Sequence, residues 1–567
     1  MDAPWIKFYE PGVPKSITYP TGNLTDLLDK AAAEFADKPA LAFYADPKLP
    51  PSRMTYRAFR DAVLRLATAF WQLGIRKGDR VAIMLPNCPQ FPITFYALLR
   101  IGAIAVNTNP LYVSREMKEQ FGDSGAETVV LLNLFFPRLR EIRSSTKIKR
   151  VVVVDVAETL GFPWRNIVHF VQKKHGEYVE VLPENDIFFW PRLVAKHPPT
   201  PPDVAVAPSD VALLQYTGGT TGTPKAAMLT HANLIANTLQ MAAWFQKAER
   251  GREVFMGAIP FFHVYGMTTC MLFGVYAGAE IVMVPKPRPI ELVMKVIQKS
   301  RATIFPGVPT LYTAINHHPD VGKYKLGSVK LCISGAAPLP LEVAETFERI
   351  TGGKLVEGFG MTECSPVAMC NPLYGQRKPK SIGLPVPDTD AKIIDMETGA
   401  TLPAGAEGEL VLRGPQVMPG YWKRPDETAQ TIKNGWLHTG DVATMDADGY
   451  FFIVDRKKDM IVASGLKVLP REVEEVLFLH PKVKEAAVAG VPDPYRGETV
   501  KAFIVLKPGV TATADEIAEF CKLHLASFKV PRQVEFRTEL PKTPIGKVLR
   551  RVLVEEERAK QTPVKPN

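Results

Sequence analysis

The string YTGGTTGTPK (216–225) gathers, in one short run, the groups that a polyphosphate needs. Gly218, Gly219 and Gly222 let the backbone approach an anion closely, and Thr217, Thr220, Thr221 and Thr223 supply hydroxyl donors. Lys225, directly after Pro224, adds a fixed positive charge. The loop is not a Walker A sequence. That pattern places the lysine straight after a glycine and before Ser or Thr, whereas Thr223 and Pro224 intervene here. VALLQ (211–215), apolar and β-branched at its start, reads as a strand that delivers the loop.

The same kind of strand recurs along the chain. RVAIMLPN (80–87), ETVVLLN (127–133), RVVVVD (150–155), EIVMVP (280–285), ATIFPGVP (302–309) and KLCISG (330–335) all read as buried strands. Helical sequence accompanies them, as in QFPITFYALLRIGA (90–103) and PLEVAETFERIT (340–351). Short apolar strands separated by helices predict an α/β fold whose parallel-rich sheets are covered on both faces. AKHPPTPPD (195–203) reads as a surface connector. Near residue 380 the texture changes to short strands and turns, AKIID (391–395), GELVLRG (408–414) and GYFFIVD (449–455), which predict a β-rich subdomain. A last α/β unit follows, with REVEEVLFLH (471–480) and ADEIAEFCKLHLA (514–526) helical and KAFIVL (501–506) a strand. The expected division is a large N-terminal domain, 1–455, and a small C-terminal domain, 456–567.

Composition bounds the class. A chain of 567 residues is several folding units long, and 46% hydrophobic with 23% charged residues is globular. With 40 Gly and six Cys it is neither collagen-like nor a disulfide scaffold. The cysteines, Cys88, Cys270, Cys332, Cys364, Cys370 and Cys521, are scattered without zinc spacing, and are expected to be reduced thiols in the cytoplasm. The start, MDAPWIKFYEPG, does not read as a signal peptide. Ile259–Ala279 has no fixed charge and the length of a membrane span. Its Pro260, His263 and three glycines instead predict a strand, a turn and a buried helix. The net charge of +10 favours anionic partners, and from residue 456 onward 21 Lys/Arg face 15 Asp/Glu. Nucleic-acid binding has only this charge in its favour. LGFPWRNIVHFVQKKHG (160–176) mixes aromatics with cations, which suits either peripheral contact with an anionic membrane or an ordinary packed helix.

YTGGTTGTPK resembles the phosphate-loop signature of the adenylate-forming superfamily: acyl-CoA synthetases, luciferases and peptide-synthetase adenylation domains. Further stretches resemble the family's motifs in the family's order over roughly residues 20–560. PFFHVYG (260–266) is similar to its aromatic/His motif, ISGAAPL (333–339) to its adenine-side loop, and GFGMTE (358–363) to its adenine/magnesium motif. GWLHTGD (435–441), IVDRKKD (453–459) and PKTPIGKV (541–548) resemble its ribose, hinge and catalytic-lysine motifs. GWLHTGD with DRKKD looks most like the fatty-acyl-CoA synthetase signature.

The resemblance implies a role for each residue, and each role has a physical reason. Gly335, Ala336, Gly358, Phe359, Gly360 and Met361 would frame adenine, with Phe359 standing where many relatives carry Tyr. Glu363, beside Thr362, is a hard oxygen ligand suited to Mg²⁺. Asp441, an acceptor-only carboxylate, and Arg456, a donor, would bind the ribose hydroxyls. His263 would line the acyl/adenylate pocket near the α-phosphate, not as a base, since a fatty acid is already ionised near pH 7. Lys547 would reach the α-phosphate and the carboxylate, Lys458 would be the hinge of a mobile small domain, and Gly465 would approach pantetheine. Ala226 replaces a frequent Gly, and Met267 lies near the expected acyl entrance. The activity implied is ATP-dependent ligation of a fatty acid to coenzyme A through acyl-AMP. The alternatives are an acyl-AMP ligase feeding a carrier protein, a luciferase-like oxygenase, and a non-catalytic fatty-acid uptake protein. A homodimer is compatible with the sequence.

Overall fold

The computed structural model describes residues 3–217, 224–456, 459–463, 466–493, 497–543 and 546–561. Its fold is α/β, and the chain divides into two compact units. One comprises Ile6–Thr389 and Arg413–Ile432; the other comprises Met1–Trp5, Asp390–Leu412 and Lys433–Asn567. The expected boundary at 455–458 falls inside the second unit, between its two sheets.

The first unit is built around an eight-stranded sheet. Its strands run in the order Gly420–Tyr421, Lys225–Thr230, Val211–Thr217, Ile104–Asn107, Arg80–Met84, Thr128–Leu132, Arg150–Val154 and Ile187–Phe189. From Val211–Thr217 to the far edge every pair is parallel. This agrees with the apolar strand pattern: residues 81–84 and 129–131 are fully buried, as strands covered on both faces must be. The two remaining strands pair antiparallel, and Lys225 opens the inner one just after the expected phosphate loop.

A second sheet pairs Val254–Gly257, Glu280–Met283 and Pro39–Phe43 in parallel, with Ser52–Thr55 antiparallel at its edge. A third pairs Leu331–Ser334 with Lys354–Gly360 in parallel, followed by Val367–Cys370 and Leu384–Pro385. The expected strand at 302–309 does not form. Only single-residue bridges at Ile304 and Gly307 remain, because Pro306 has no N–H for a ladder and Pro309 begins the helix Pro309–Asn316. In the 259–279 region the strand lies earlier than expected, at Val254–Gly257, because Pro260 cannot donate to a ladder. The chain is then helical from Val264 to Tyr276, with a wide π turn over Met267–Leu272. No described helix is long and apolar enough to cross a membrane.

The second unit has two sheets. In one, Asp390–Ile394, Gly408–Arg413, Trp436–Met445 and Ile432–Lys433 are joined by Phe451–Arg456, which pairs with Trp436–Met445. In the other, Val483–Asp493 and Gly497–Leu506 form a long hairpin extended by Ile461–Ala463, Leu466–Val468 and, in parallel, Gln533–Phe536. Helices Pro470–Leu479 and Ala514–Lys522 bury Val473, Leu477, Ile517 and Cys521 against one face. The C-terminal helix Arg550–Gln561 places Leu553 with Phe503 and Leu540 on the other.

Candidate active site

Residues 218–223 of the phosphate loop lie outside the described residues, but both ends are fixed. Thr217 closes one strand and pairs directly with Lys225, which opens the next, and the Thr217 hydroxyl donates to the Lys225 carbonyl at 3.3 Å. One residue earlier, the Tyr216 hydroxyl donates to Asp123 at 2.7 Å. Asp123 in turn receives Arg424 at 2.8 Å and holds the segment that follows Gly420–Tyr421. Lys225 Nζ sits 5.6 Å from the centre of the Tyr421 ring, within reach of a cation–π attraction. The Tyr421 hydroxyl donates to Glu363 Oε1 at 2.6 Å, and burial followed by the Glu363 charge holds that phenol far above its ordinary range. One tyrosine therefore joins the loop lysine to the expected metal ligand.

Glu363 itself is buried in a short 3₁₀ turn, Thr362–Cys364, with its carbonyl accepting from Met418 N–H at 2.9 Å. The strand before it carries Gly358, Phe359 and Gly360, with Met361 next. A Cβ on Gly360 would lie 2.0 Å from the Pro366 carbonyl, so the close return of the chain there requires glycine. Strand register brings together the two motifs expected on the adenine side. Ser334 pairs with Glu357, so Gly335, just past the end of its strand, lies beside Gly358, which is still within its own. Glu357 Oε2 accepts from Leu339 N–H at 3.2 Å and latches the loop between them, while Ala336 adopts a left-handed φ of 70°. Phe359, Met361 and Thr362 are half-buried, which leaves an aromatic and apolar edge for a base.

His263 starts the helical stretch, and its Nδ1 accepts from Tyr265 N–H at 3.2 Å. In a neutral ring that leaves the proton on Nε2, a donor suited to an anion and not to general-base work. Buried polar side chains hold the segment on both sides. Asn87 donates to the carbonyls of Gly257 and Ile259 and accepts from Phe261 N–H, and Gln215 donates to the Phe262 carbonyl at 3.1 Å. The Tyr265 hydroxyl reaches the carbonyls of Gly307 and Ile333 at 2.8 and 2.9 Å, next to Gly335. Met267 is buried and receives Asn107 at its sulfur.

The helix His231–Trp244 organises the rest, and sequence reasoning passed over it. Thr230 and Asn233 form a reciprocal cap at its start. Asn233 then donates to the carbonyls of Pro415 and Val417, Asn237 pairs with both main-chain groups of Val367, and Gln240 donates to Pro387. These amides fix the approaches to Glu363 and Tyr421. Alternation of polar residues within an apolar helix, THANLIANTLQ, was the available signal.

In the second unit, Asp441 is 2% exposed on the strand Trp436–Met445 and lies opposite Arg456 in the antiparallel pair. The HTGD turn is a bulge. Thr439 donates to the Leu410 carbonyl, Gly440 takes a φ of 70° and gives its N–H to Glu409, and Asp441 N–H reaches Thr439. Lys547 is exposed in a tight turn closed by the Thr543–Lys547 main-chain bond of 2.8 Å and a bridge between Lys542 and Val548. Lys458 and Gly465 lie outside the described residues. The six cysteines are free and buried, and burial pushes Cys88 up to about 12, so none offers a thiolate nucleophile at neutral pH.

The chain is similar to known proteins along its length. The family model described as AMP-binding enzyme matches residues 28–422, and that of the AMP-binding enzyme C-terminal domain matches residues 472–547. A long-chain-fatty-acid–CoA ligase of Bacillus subtilis is 44% identical over 561 residues, 98% of each chain. One from Escherichia coli O6:H1 is 40% identical over 562 residues, again 98% of each. Among solved structures, an anthranilate CoA ligase in complex with anthranoyl-AMP superimposes with a TM-score of 0.82 at 29% identity, covering 95% of this chain and 98% of its own.

Proposed function

The chain belongs to the AMP-binding enzyme family, the adenylate-forming superfamily, and from that premise we propose that it ligates a long-chain fatty acid to coenzyme A at the expense of ATP. The observation that carries this reading is that similarity to two long-chain-fatty-acid–CoA ligases covers 98% of both chains. In the first step the ionised fatty-acid carboxylate attacks the α-phosphorus of ATP in line. The Pα–O bond to pyrophosphate breaks, and acyl-AMP forms. In the second step the CoA thiolate attacks the acyl carbon and AMP leaves with the electron pair of the anhydride bond.

The residue roles follow the chemistry of each group. The loop from Thr217 to Lys225 binds the phosphates through main-chain N–H groups, hydroxyls and one ammonium. Gly335, Ala336 and the Gly358–Met361 edge hold adenine, and Asp441 with Arg456 holds the ribose. His263 offers Nε2–H to the α-phosphate or the carboxylate. Lys547 neutralises the charge that develops on the α-phosphate while acyl-AMP forms. Rotation of the small domain about Asp455–Lys458 then replaces Lys547 with the loop carrying Gly465, which faces pantetheine. Glu363 is the residue that would hold Mg²⁺. A single buried carboxylate with one oxygen committed to Tyr421, outside any cluster of three ligating side chains among the described residues, fits a cation otherwise coordinated by water and phosphate. When bound, Mg²⁺ supplies charge neutralisation on the phosphates. The exposed Phe162 and Phe170, with Lys173 and Lys174 on the helix Trp164–Lys174, support drawing the acyl chain from an anionic lipid surface.

An ATP- and CoA-dependent assay across carboxylates from acetate to oleate tests the reading. Thioester, AMP and pyrophosphate should appear with the long acids. Activity confined to acetate or to aromatic acids would overturn the fatty-acid assignment, and acyl-AMP without thioester would indicate a ligase that feeds a carrier.

A further inference from the structure

Tyr421 belongs to none of the motifs that first pointed to the chemistry, yet its position is fixed from several directions. The strand Gly420–Tyr421 is laid antiparallel on Lys225–Thr230, with Tyr421 opposite Ala227, and Trp422 N–H continues the ladder to the Ala226 carbonyl at 2.8 Å. Tyr421 N–H is taken by the Thr428 hydroxyl at 2.9 Å. Gly420 has no room for a side chain, since a Cβ would lie 2.6 Å from Thr428 Cγ2. Beyond Trp422, Lys423 reaches the Asp123 carbonyl and Arg424 the Asp123 carboxylate, the same group that anchors Tyr216 before the phosphate loop. The ring therefore has a defined place relative to both strands that flank the loop.

From that place it meets two charges. The hydroxyl donates to Glu363 Oε1 at 2.6 Å, and the ring face lies under Lys225 Nζ at 5.6 Å. The segment holds the main chain of Glu363 as well, through Met418 N–H. A buried carboxylate and an ammonium on facing segments would lower their energy by pairing, which would remove both from nucleotide binding. Among the described residues they do not pair; the tyrosine stands on both. A hydroxyl bond to an ionised acceptor also fixes the carboxylate rotamer and leaves Oε2 as the oxygen to offer.

We infer that Tyr421 is a positioning residue for nucleotide–metal binding, acting through Glu363: its hydroxyl holds the carboxylate in the orientation that accepts a divalent cation on ATP. The inference rests on the reading of Glu363 as the cation ligand.

The test is calorimetric binding of ATP to the full chain, with excess Mg²⁺ and separately with EDTA, for the parent, Tyr421→Phe, Glu363→Gln and the double variant. Phe keeps the ring and removes only the hydroxyl. In Tyr421→Phe the factor by which Mg²⁺ tightens ATP should shrink about ten-fold or more, the effect of one hydrogen bond to a charged group. Metal-free ATP binding should stay at the parental value, and the variant should remain cooperatively folded. In the Glu363→Gln background the Phe substitution should add nothing. An undiminished Mg²⁺ factor in Tyr421→Phe would overturn the inference. So would equal weakening with and without metal, an additive loss in the double variant, or a parent whose ATP affinity ignores Mg²⁺. A parent that binds Mg·ATP but forms no thioester would overturn the ligase reading and leave the role of Tyr421 standing.

Discussion

Asp441 sits almost fully buried opposite Arg456, beside a turn in which Thr439 donates to the Leu410 carbonyl and Gly440 N–H to Glu409. The turn should therefore survive its loss, and Asp441→Ala should weaken ATP binding while the protein stays cooperatively folded. A charge-assisted bond is worth about 1.5–3 kcal/mol, roughly ten- to a hundred-and-fifty-fold in affinity. Normal ATP affinity in a folded variant would remove Asp441 from the ribose. His231 makes a different kind of prediction, about stability. Burial pushes its imidazole down to about 4 from an ordinary 6.5, with Asp210 opposing, and its Nδ1 accepts from Leu24 N–H at 3.2 Å. The unfolded chain takes up a proton below pH 6.5 that the folded chain refuses until about pH 4. Stability from this group is therefore complete above pH 6.5 and falls as the pH drops, by about 2 kcal/mol at pH 5. His231→Asn keeps an acceptor near the Nδ1 position and cannot be protonated there. Its unfolding midpoint should fall less than the parent's between pH 7 and 5, and identical falls would contradict the assignment. The pairing of Thr217 with Lys225 at the two ends of the expected phosphate loop was legible in the sequence, because that motif is written in consecutive positions. The long-range bonds of Tyr421, Asn87 and Asn233 were not, because they reach 58 to 184 residues away and a buried amide looks like a surface one until the chain folds.

At the scale of elements, apolar periodicity reported most strands because both faces of a parallel sheet are dry. It failed at 302–309, where prolines set the backbone and apolar residues serve only as packing. The helix Arg550–Gln561 shows what holds the turn that carries Lys547 in place. Arg550, three residues beyond Lys547, reaches both Glu474 oxygens at 2.6 and 3.2 Å and Asp459 at 2.9 Å. Glu474 is buried enough that its carboxyl is held above the usual range even beside that guanidinium. Arg550→Met should leave an unpaired buried carboxylate and lower the stability of this unit by ~3–5 kcal/mol. Adding Glu474→Leu should restore most of the loss, read as the denaturation midpoint of the C-terminal transition. A loss below about 1 kcal/mol in the single variant would mean that water already screens the pair.

At the scale of the molecule, the chain has two compact units, and the reaction has two steps. The motif order along the chain made that reaction legible before any geometry. The central claim is that Lys547 serves adenylation and has no part in thioesterification. Removing a preorganised charge from a reacting phosphate costs two to three orders of magnitude, about 3–4 kcal/mol. The direct measurement is the rate of each half-reaction in one preparation of Lys547→Ala. Acyl-AMP formation from fatty acid and ATP should be nearly lost, while conversion of supplied acyl-AMP and CoA to thioester should run close to the parental rate. Equal loss in both steps, or loss in neither, would contradict the account.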